Sequence, residues 1–263
     1  MRSRILEALS TYEISDYLKR SDVVYLPVGT VEMHGQMPVG VEHVMPLAIA
    51  LRLAEESDGL VLSGLTYFYP GSTLVGDGTI GVSPSVGKAY LREICLSLLR
   101  QGFRRQVLLS AHGPAFVTVS PFVREFFEET RCPIAYLDLG RPIDKAHGDF
   151  DKMIWGAYHM LGRLDELQPH PRGGRSPNPS EQSALGGPHM VQFGYYLSDV
   201  TQHGWWPKGV MTAAERLARA REGMQDIERT VQAIRPAEMV AKLRKLDTYV
   251  QKKVLPRYGR RLP

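Results

Sequence analysis

Val23-Val24-Tyr25-Leu26-Pro27-Val28 is a continuous apolar run of strand length, and Gly29-Thr30-Val31-Glu32-Met33-His34-Gly35 follows it directly. A run without polar alternation is typical of a strand that is buried on both faces, as in parallel sheets covered by helices. Glu42 comes a few residues later. Two carboxylates and an imidazole therefore follow the end of one predicted strand, which is typical of divalent-metal enzymes rather than of structural proteins.

Further apolar runs alternate with segments of helical periodicity through the first half of the chain. The sequence predicts strands at 60–62, 107–109 and 134–137, and helices at 44–56, 85–101 and 116–129. Ser85 is the predicted N-cap of the second helix, and Thr66 to Val82 is predicted to be an ordered loop or hairpin. The alternation predicts an α/β fold, a single-domain three-layer sandwich with a mainly parallel sheet and helices on both faces.

The C-terminal part of the chain is predicted to be helical. Thr212-Ala213-Ala214-Glu215 is a capping box, and apolar residues recur after it at spacings of three and four up to Ile234. Pro236 ends this helix, and a last helix is predicted from Ala237 to about Val254. We expect one domain over residues 1–263, with helices 212–254 packed on its body or on a neighbouring subunit.

The bulk composition is that of an ordinary globular protein. Of the 263 residues, 43% are hydrophobic and 23% are charged, with a net charge of +4 and a pI of about 9.0. The basic residues near the C-terminus are interpreted as a solvated helix face. The N-terminus lacks the apolar core of a signal peptide, and no apolar run approaches the length of a membrane span. We therefore expect a cytoplasmic protein without nucleic-acid or membrane partners.

A second histidine follows another predicted strand. His112, in Ser110-Ala111-His112-Gly113-Pro114, comes shortly after the apolar run Val107 to Leu109. Because ligands of open parallel sheets bind beyond the carboxyl ends of the strands, we expect His112 to lie at the same edge as Glu32 and His34. Imidazole and carboxylate ligands together suit Zn²⁺ or Mn²⁺.

Several motifs, in order along the chain, resemble those of the creatininase (creatinine amidohydrolase) family. They are Leu26 to Gly35, Tyr69-Pro70-Gly71-Ser72-Thr73, Gly78-Thr79-Ile80, Leu99 to Gly113 and Glu181-Gln182-Ser183. The chain is therefore identified as a divergent member of this family. The resemblance implies a creatininase-like fold, a small-molecule substrate and a homo-oligomer, since family members tend to form hexamers.

The resemblance also implies two divalent ions, Zn²⁺ or Mn²⁺, held by five side chains. Glu32, Glu42 and His112 would bind one ion, and His34, Glu42 and Glu181 would bind the other. A carboxylate can bridge two ions and an imidazole cannot, which favours Glu42 over the adjacent His43 as the shared ligand. The remaining candidates are predicted substrate contacts: Ser72, Trp205 and Trp206, of which the two tryptophans are open between a pocket and a subunit interface.

The chain departs from the family pattern around these ligands. Glu42 stands where the family usually has Asp, and it lies one residue nearer to His34. Different residues flank His112, and 175–180 replaces the family's lead-in to Glu181. A histidine that acts as acid/base in creatininase, just before the Glu181 equivalent, is therefore missing. His43, His147 and His170 are open candidates for that role, and we place Glu181, His43 and His170 in the predicted catalytic set.

These features lead us to expect a metal-dependent hydrolase of the amidohydrolase type. It would open a cyclic amide or related C–N bond of a small polar metabolite other than creatinine. One alternative is hydrolytic C–C ring opening of a cyclic ketone such as an oxidised inositol, and another is a binding protein that has lost its metals. Ser85-Val86-Gly87-Lys88 fits the Ser-x-x-Lys pattern of serine acyl-enzymes, but the companion motifs are missing and this reading is set aside.

Overall fold

A four-stranded parallel sheet lies at the centre of the computed structural model, which describes residues 1–34, 37–140, 149–168 and 211–259. The strands are β1 (Val23–Pro27), β2 (Leu60–Val61), β3 (Arg105–Ser110) and β4 (Ala135–Asp138). Their spatial order is β2-β1-β3-β4, with Tyr25 opposite both Val61 and Val107. The parallel α/β architecture predicted from the alternating pattern is thus confirmed.

Helices alternate with these strands and continue after them. The described helices are α1 (Thr11–Leu18), α2 (Val41–Ser57), α3 (Pro84–Gln101), α4 (Phe116–Thr130), α5 (Phe150–Met160), α6 (Ala213–Ile234) and α7 (Pro236–Tyr249). A π-helical turn (Val250–Val254) and a last short helix, α8 (Leu255–Tyr258), follow α7. None of the described helices is both long enough and apolar enough to cross a membrane.

Successive residues of each strand enter two different cores, one on each face of the sheet. Val23, Tyr25 and Val107 pack with α2, α5, α6 and α7 on one face. Val24, Leu26 and Leu108 pack with α1, α3 and α4 on the other. Because both faces are covered, the strands carry no polar alternation, which explains the continuous apolar runs in the sequence.

The strand order reverses direction between β1 and β3. From β1 the chain passes through α2 to β2 on one side, and it then returns through α3 to β3 on the other side of β1. Connections that leave two adjacent parallel strands in opposite directions open a crevice at their carboxyl ends. This crevice lies beyond Pro27 and Ser110.

Helix boundaries differ from the sequence predictions at two N-termini. The N-cap of α3 is Ser83 rather than Ser85, and its hydroxyl accepts the Val86 N–H at 3.4 Å. The physical reason is Pro84, whose fixed φ suits the first helical position and which therefore directs the start of the helix. α2 begins at Val41 rather than Val44, so Glu42 lies in its first turn.

The C-terminal helices pack on the body of the domain. The predicted capping box at Thr212 is present, and Ala220, Ile227 and Val231 of α6 are buried in the core that includes α5. α5 and α6 cross where Gly156 and Gly223 meet backbone to backbone. α7 is joined to the start of β3 through Asp247, which accepts hydrogen bonds from the guanidinium groups of Arg104 and Arg105 at 2.8–3.1 Å.

Candidate metal centre

Glu32 lies in the loop that leaves β1 and enters the crevice. Its backbone N–H donates to the carbonyl of Val39 at 2.9 Å, and the neighbouring Val31 pairs with Ile80 in an isolated antiparallel bridge. The Thr73 hydroxyl donates to Glu32 Oε2 at 2.6 Å. The loop and its carboxylate are thus held from two directions, and the side chain is buried.

Glu42 contacts an imidazole with each of its carboxylate oxygens. His112 Nδ1 is hydrogen-bonded to Oε2, and His34 Nε2 lies 3.7 Å from Oε1. The helical start at Val41 makes this possible, because it carries the carboxylate in the first turn of α2 beside the end of β3. The two imidazoles therefore lie on opposite oxygens of one buried carboxylate.

The two imidazoles come from different strand ends. His112 follows β3, and its Nδ1 also lies 3.6 Å from Glu32 Oε1. His112 Nε2 is buried and has no hydrogen-bond partner among the described residues. His34 Nδ1 lies 3.3 Å from the carbonyl oxygen of Glu32.

Together these four side chains form a buried, polar cluster, and three of them offer ligand atoms spaced for a divalent cation. Glu32, His34 and Glu42 each offer one ligand atom, and these atoms lie within 4.8 Å of one another. Exposed fractions of the four residues run from 2% to 8%. Two carboxylates in such a site repel each other unless a positive charge lies between them, and carboxylate with imidazole is a donor set for Zn²⁺ or Mn²⁺.

Protons supply the positive charge when no cation is bound. Burial and the neighbouring Glu42 raise the pKa of Glu32 to about 7. Burial alone would lower the pKa of His34, but Glu42 and then Glu32 outweigh it and raise the value to about 9. Burial would raise the pKa of Glu42, yet the two imidazoles hold it well below its usual range. A metal ion would therefore compete with protons for these ligands.

The other predicted site residues lie elsewhere or outside the described part of the chain. His43 Nδ1 lies 3.4 Å from the Thr66 hydroxyl, and its ring packs against Gly29. Burial, followed by the charge of Arg163, lowers the pKa of His43. The backbone of Ser72 belongs to a 3-10 turn, Gly71–Val75. Five candidates lie outside the described residues: His147, His170, Glu181, Trp205 and Trp206.

Thr73 is a site residue that we did not single out from the sequence. It lies 41 residues from Glu32 along the chain, so neither helical nor strand periodicity relates the two. The available signal is its place in Tyr69-Pro70-Gly71-Ser72-Thr73, which we used only for the resemblance.

Comparisons with known proteins relate this chain to creatinine amidohydrolases and another hydrolase. The family model described as creatinine amidohydrolase matches residues 7–237. A 3-dehydro-scyllo-inosose hydrolase of Thermotoga maritima is 29% identical over 135 residues, which are 51% of this chain and 43% of the relative. A creatinine amidohydrolase of Pseudomonas putida is 34% identical over 96 residues, which are 34% of this chain and 37% of the relative. The chain thus spans less than half of the length of either curated relative in these matches.

Solved structures share the fold over nearly the whole chain. A crystal structure of creatininase superposes with a TM-score of 0.64 at 21% identity, covering 92% of this chain and 98% of that one. Two further creatininase structures, described as a Zn-Zn type and as an Mn form, superpose with TM-scores of 0.58 and 0.59 at 21% identity, each covering 89% of this chain and 98% of its own. The family model covers well over half of the residues, and the chain therefore belongs to the creatininase family.

Proposed function

We propose that this protein is a metal-dependent hydrolase that opens a cyclic amide or related C–N bond of a small polar metabolite other than creatinine. The observation that carries the proposal is the buried cluster of two carboxylates and two imidazoles at the switch point of the sheet. Membership of the creatininase family and the hydrolase names of both curated relatives support it.

In this proposal the cluster holds two ions. Glu32, Glu42 and His112 hold one, and His34, Glu42 and Glu181 hold the other. The contact of each Glu42 oxygen with a different imidazole supports a shared role for this carboxylate. Bound Zn²⁺ or Mn²⁺ would supply an activated water and would polarise the substrate carbonyl. The Zn-Zn and Mn descriptions of two creatininase structures support this choice of metals.

The remaining roles in the proposal concern proton transfer and substrate contact. His43 is one candidate for the proton-transferring group, since its lowered pKa keeps the imidazole neutral at pH 7 and able to accept a proton. His170 and Glu181 complete the proposed catalytic set, and Ser72, Trp205 and Trp206 are the proposed substrate contacts. We further propose a cytoplasmic homo-oligomer that acts on small molecules.

A second candidate function keeps the metals and changes the bond. The match to a 3-dehydro-scyllo-inosose hydrolase, which covers 51% of this chain, favours hydrolytic C–C ring opening of a cyclic ketone. Both reactions begin with attack on a ring carbonyl, so the same ligand cluster serves either of them. By resemblance to the family, the residues that flank His112 depart from the usual pattern, which supports a substrate other than creatinine.

Metal analysis of the purified protein tests the proposal. We expect about two transition-metal ions per chain in the wild type and a marked loss in Glu32→Ala and His34→Ala. Glu128→Ala, which removes an exposed carboxylate of α4, is the matched control and should keep the wild-type metal content. A folded wild-type protein that binds no metal would contradict both candidate functions and would leave the non-catalytic binding protein.

A substrate panel then separates the two reactions. Lactams, cyclic ureas, formamides and cyclic ketones are incubated with the metal-loaded protein, and products are identified by mass spectrometry. Turnover of a cyclic amide or urea supports the C–N proposal. Turnover restricted to cyclic ketones would replace it with C–C ring opening.

A further inference from the structure

The 71–80 segment contacts the proposed metal ligands without contributing one of them. Thr73, in the 3-10 turn Gly71–Val75, is only 5% exposed, and its hydroxyl lies 2.6 Å from Glu32 Oε2 and 2.9 Å from the carbonyl of Pro70. A hydroxyl has a single hydrogen to donate. The shorter, charge-assisted bond to a carboxylate is the stronger of the two, so Glu32 receives it.

A second threonine fixes the first. The Thr79 hydroxyl donates to the carbonyl of Thr73 at 2.9 Å and accepts the backbone N–H of Met33 at 3.0 Å. Ile80 N–H donates to the carbonyl of Val31 at 3.0 Å. The 71–80 segment is therefore hydrogen-bonded on both sides of Glu32 in the chain, as well as to its side chain.

The same segment also touches the loop that carries His112. Gly71 has a φ of +70°, and a Cβ placed there would lie 2.8 Å from Cγ of Pro114. Only glycine combines this left-handed backbone with so close a contact at low cost. The turn thus contacts the loops that follow β1 and β3, which supply Glu32 and His112.

We infer that Thr73 is a positioning residue that leaves one oxygen of Glu32, Oε1, for metal binding. Thr73 occupies Oε2, and Oε1 is the oxygen that faces His112 Nδ1 at 3.6 Å. The inference rests on the proposed metal-dependent function. A carboxylate with one oxygen held by a hydroxyl is a monodentate ligand of fixed orientation, whereas a released carboxylate can rotate or bind through both oxygens. Loss of such an outer-shell partner typically weakens metal affinity 10- to 100-fold.

Metal binding by matched threonine variants tests the inference. Thr73→Val removes the hydroxyl and keeps the shape, while Thr73→Ser keeps the hydroxyl. Affinity for Co²⁺ and Zn²⁺ is measured by competition with a chromophoric chelator, and the coordination of Co²⁺ is followed by its visible absorption spectrum. We expect roughly 10- to 100-fold weaker binding and an altered spectrum in Thr73→Val, with both properties restored in Thr73→Ser.

Thr118→Val is the control for the loss of a buried hydroxyl. Thr118 is fully buried in α4, and its hydroxyl has no hydrogen-bond partner among the described residues. This variant should bind Co²⁺ with the wild-type affinity and spectrum. Lost stability alone, from removal of the buried Thr73 hydroxyl, would not change the Co²⁺ spectrum of the folded protein.

A second pair of variants keeps the inference testable if Thr73→Val does not fold. Thr79→Val should weaken metal binding several-fold by releasing Thr73, and Thr79→Ser should restore it. Wild-type affinity and spectrum in folded Thr73→Val, or in Thr79→Val when the former is unfolded, would overturn the inference and leave the proposed function intact. A wild-type protein that binds neither ion would overturn the proposed function and this inference with it.

Discussion

Glu42 contacts two imidazoles although its spacing from His34 differs from the one that the family resemblance implies. By its resemblance to the family, it corresponds to a residue that is usually an aspartate and that usually lies one position farther from His34. Because α2 begins at Val41, the carboxylate reaches His112 with one oxygen and approaches His34 with the other. The longer side chain of a glutamate is consistent with the shorter spacing that the resemblance implies.

The pKa values of the cluster predict that metal binding strengthens as the pH rises. At neutral pH Glu32, with a pKa of about 7, is partly protonated and His34, with a pKa of about 9, is mostly protonated, and a metal ion must displace these protons. The apparent affinity for Zn²⁺ should therefore increase steadily between pH 6 and pH 9. Calorimetry in buffers of different ionisation enthalpy should detect proton release at pH 7, and that release should fall when the titration is repeated at pH 9.

The same pKa shifts predict how the stability of the metal-free protein changes with pH. Both pKa values are raised in the folded state, so folding favours the protonated forms. Their contribution to the free energy of unfolding is therefore present at low pH and is lost as the pH rises through about 7 and 9. Zn²⁺ affinity that is independent of pH, or metal-free stability that increases over this range, would contradict the assigned protonation states.

Single residues of the cluster differ in how far the sequence predicts them. Glu32, His34 and His112 follow apolar runs, so strand ends alone place them at one edge of a parallel sheet. The position of Glu42 comes from the resemblance, and its two imidazole contacts depend on where α2 starts. Thr73 reaches Glu32 only through tertiary folding of a non-repetitive segment, which no local pattern encodes.

At the scale of elements, the strands and the longer helices are close to their predicted bounds because their apolar patterns are unambiguous. α1 and α5 were not predicted. In α5 the six consecutive residues from Met153 to Tyr158 are all apolar and buried, so this stretch shows neither a helical nor a strand period. α1 is short, and its signal is the capping box formed by Ser10 and Glu13.

The crossing of α5 and α6 predicts a strong effect of one added methyl group. A Cβ on Gly223 would lie 1.7 Å from the carbonyl oxygen of Lys152. Gly223→Ala should therefore lower the free energy of unfolding by about 3 kcal/mol or prevent folding, although helix propensity alone would favour alanine by about 1 kcal/mol. Urea denaturation measures the change.

The control for this crossing comes from the same helix. Gln225 is exposed on α6, and Gln225→Ala should change the free energy of unfolding by less than about 0.5 kcal/mol. A Gly223→Ala protein as stable as the wild type would show that the two helices do not pack backbone to backbone.

At the scale of the whole molecule, the hydrogen bonds from Arg104 and Arg105 to Asp247 of α7 predict that α7 and the sheet unfold together. Burial opposes ionisation of Asp247, but Arg104 and then Arg105 hold its pKa below the usual range. We expect one urea transition, coincident by tryptophan fluorescence and far-UV circular dichroism, if residues 1–263 form one domain. Asp247→Asn should shift both signals together, by about 2 kcal/mol.

An exposed ion pair provides the control for Asp247→Asn. Asp16 pairs with Lys19, and the side chains of both are 73% exposed. Asp16→Asn should change stability by less than about 0.5 kcal/mol. Two separate transitions, or an Asp247→Asn shift in only one of the signals, would argue against a single cooperative domain.

The ligand cluster forms only in the native topology, because its residues meet at the switch point between β1 and β3. Glu32 and His34 leave β1, Glu42 begins the first crossover, and His112 follows only after that crossover and one more have been completed. An unfolded chain presents no equivalent chelate, so an ion that binds the assembled cluster stabilises the folded state by mass action. Metal uptake would therefore report that β1 has paired with β3. Of the strand pairs in the sheet, these two are the farthest apart in the sequence, so a bound ion would stabilise the most non-local contact of the sheet.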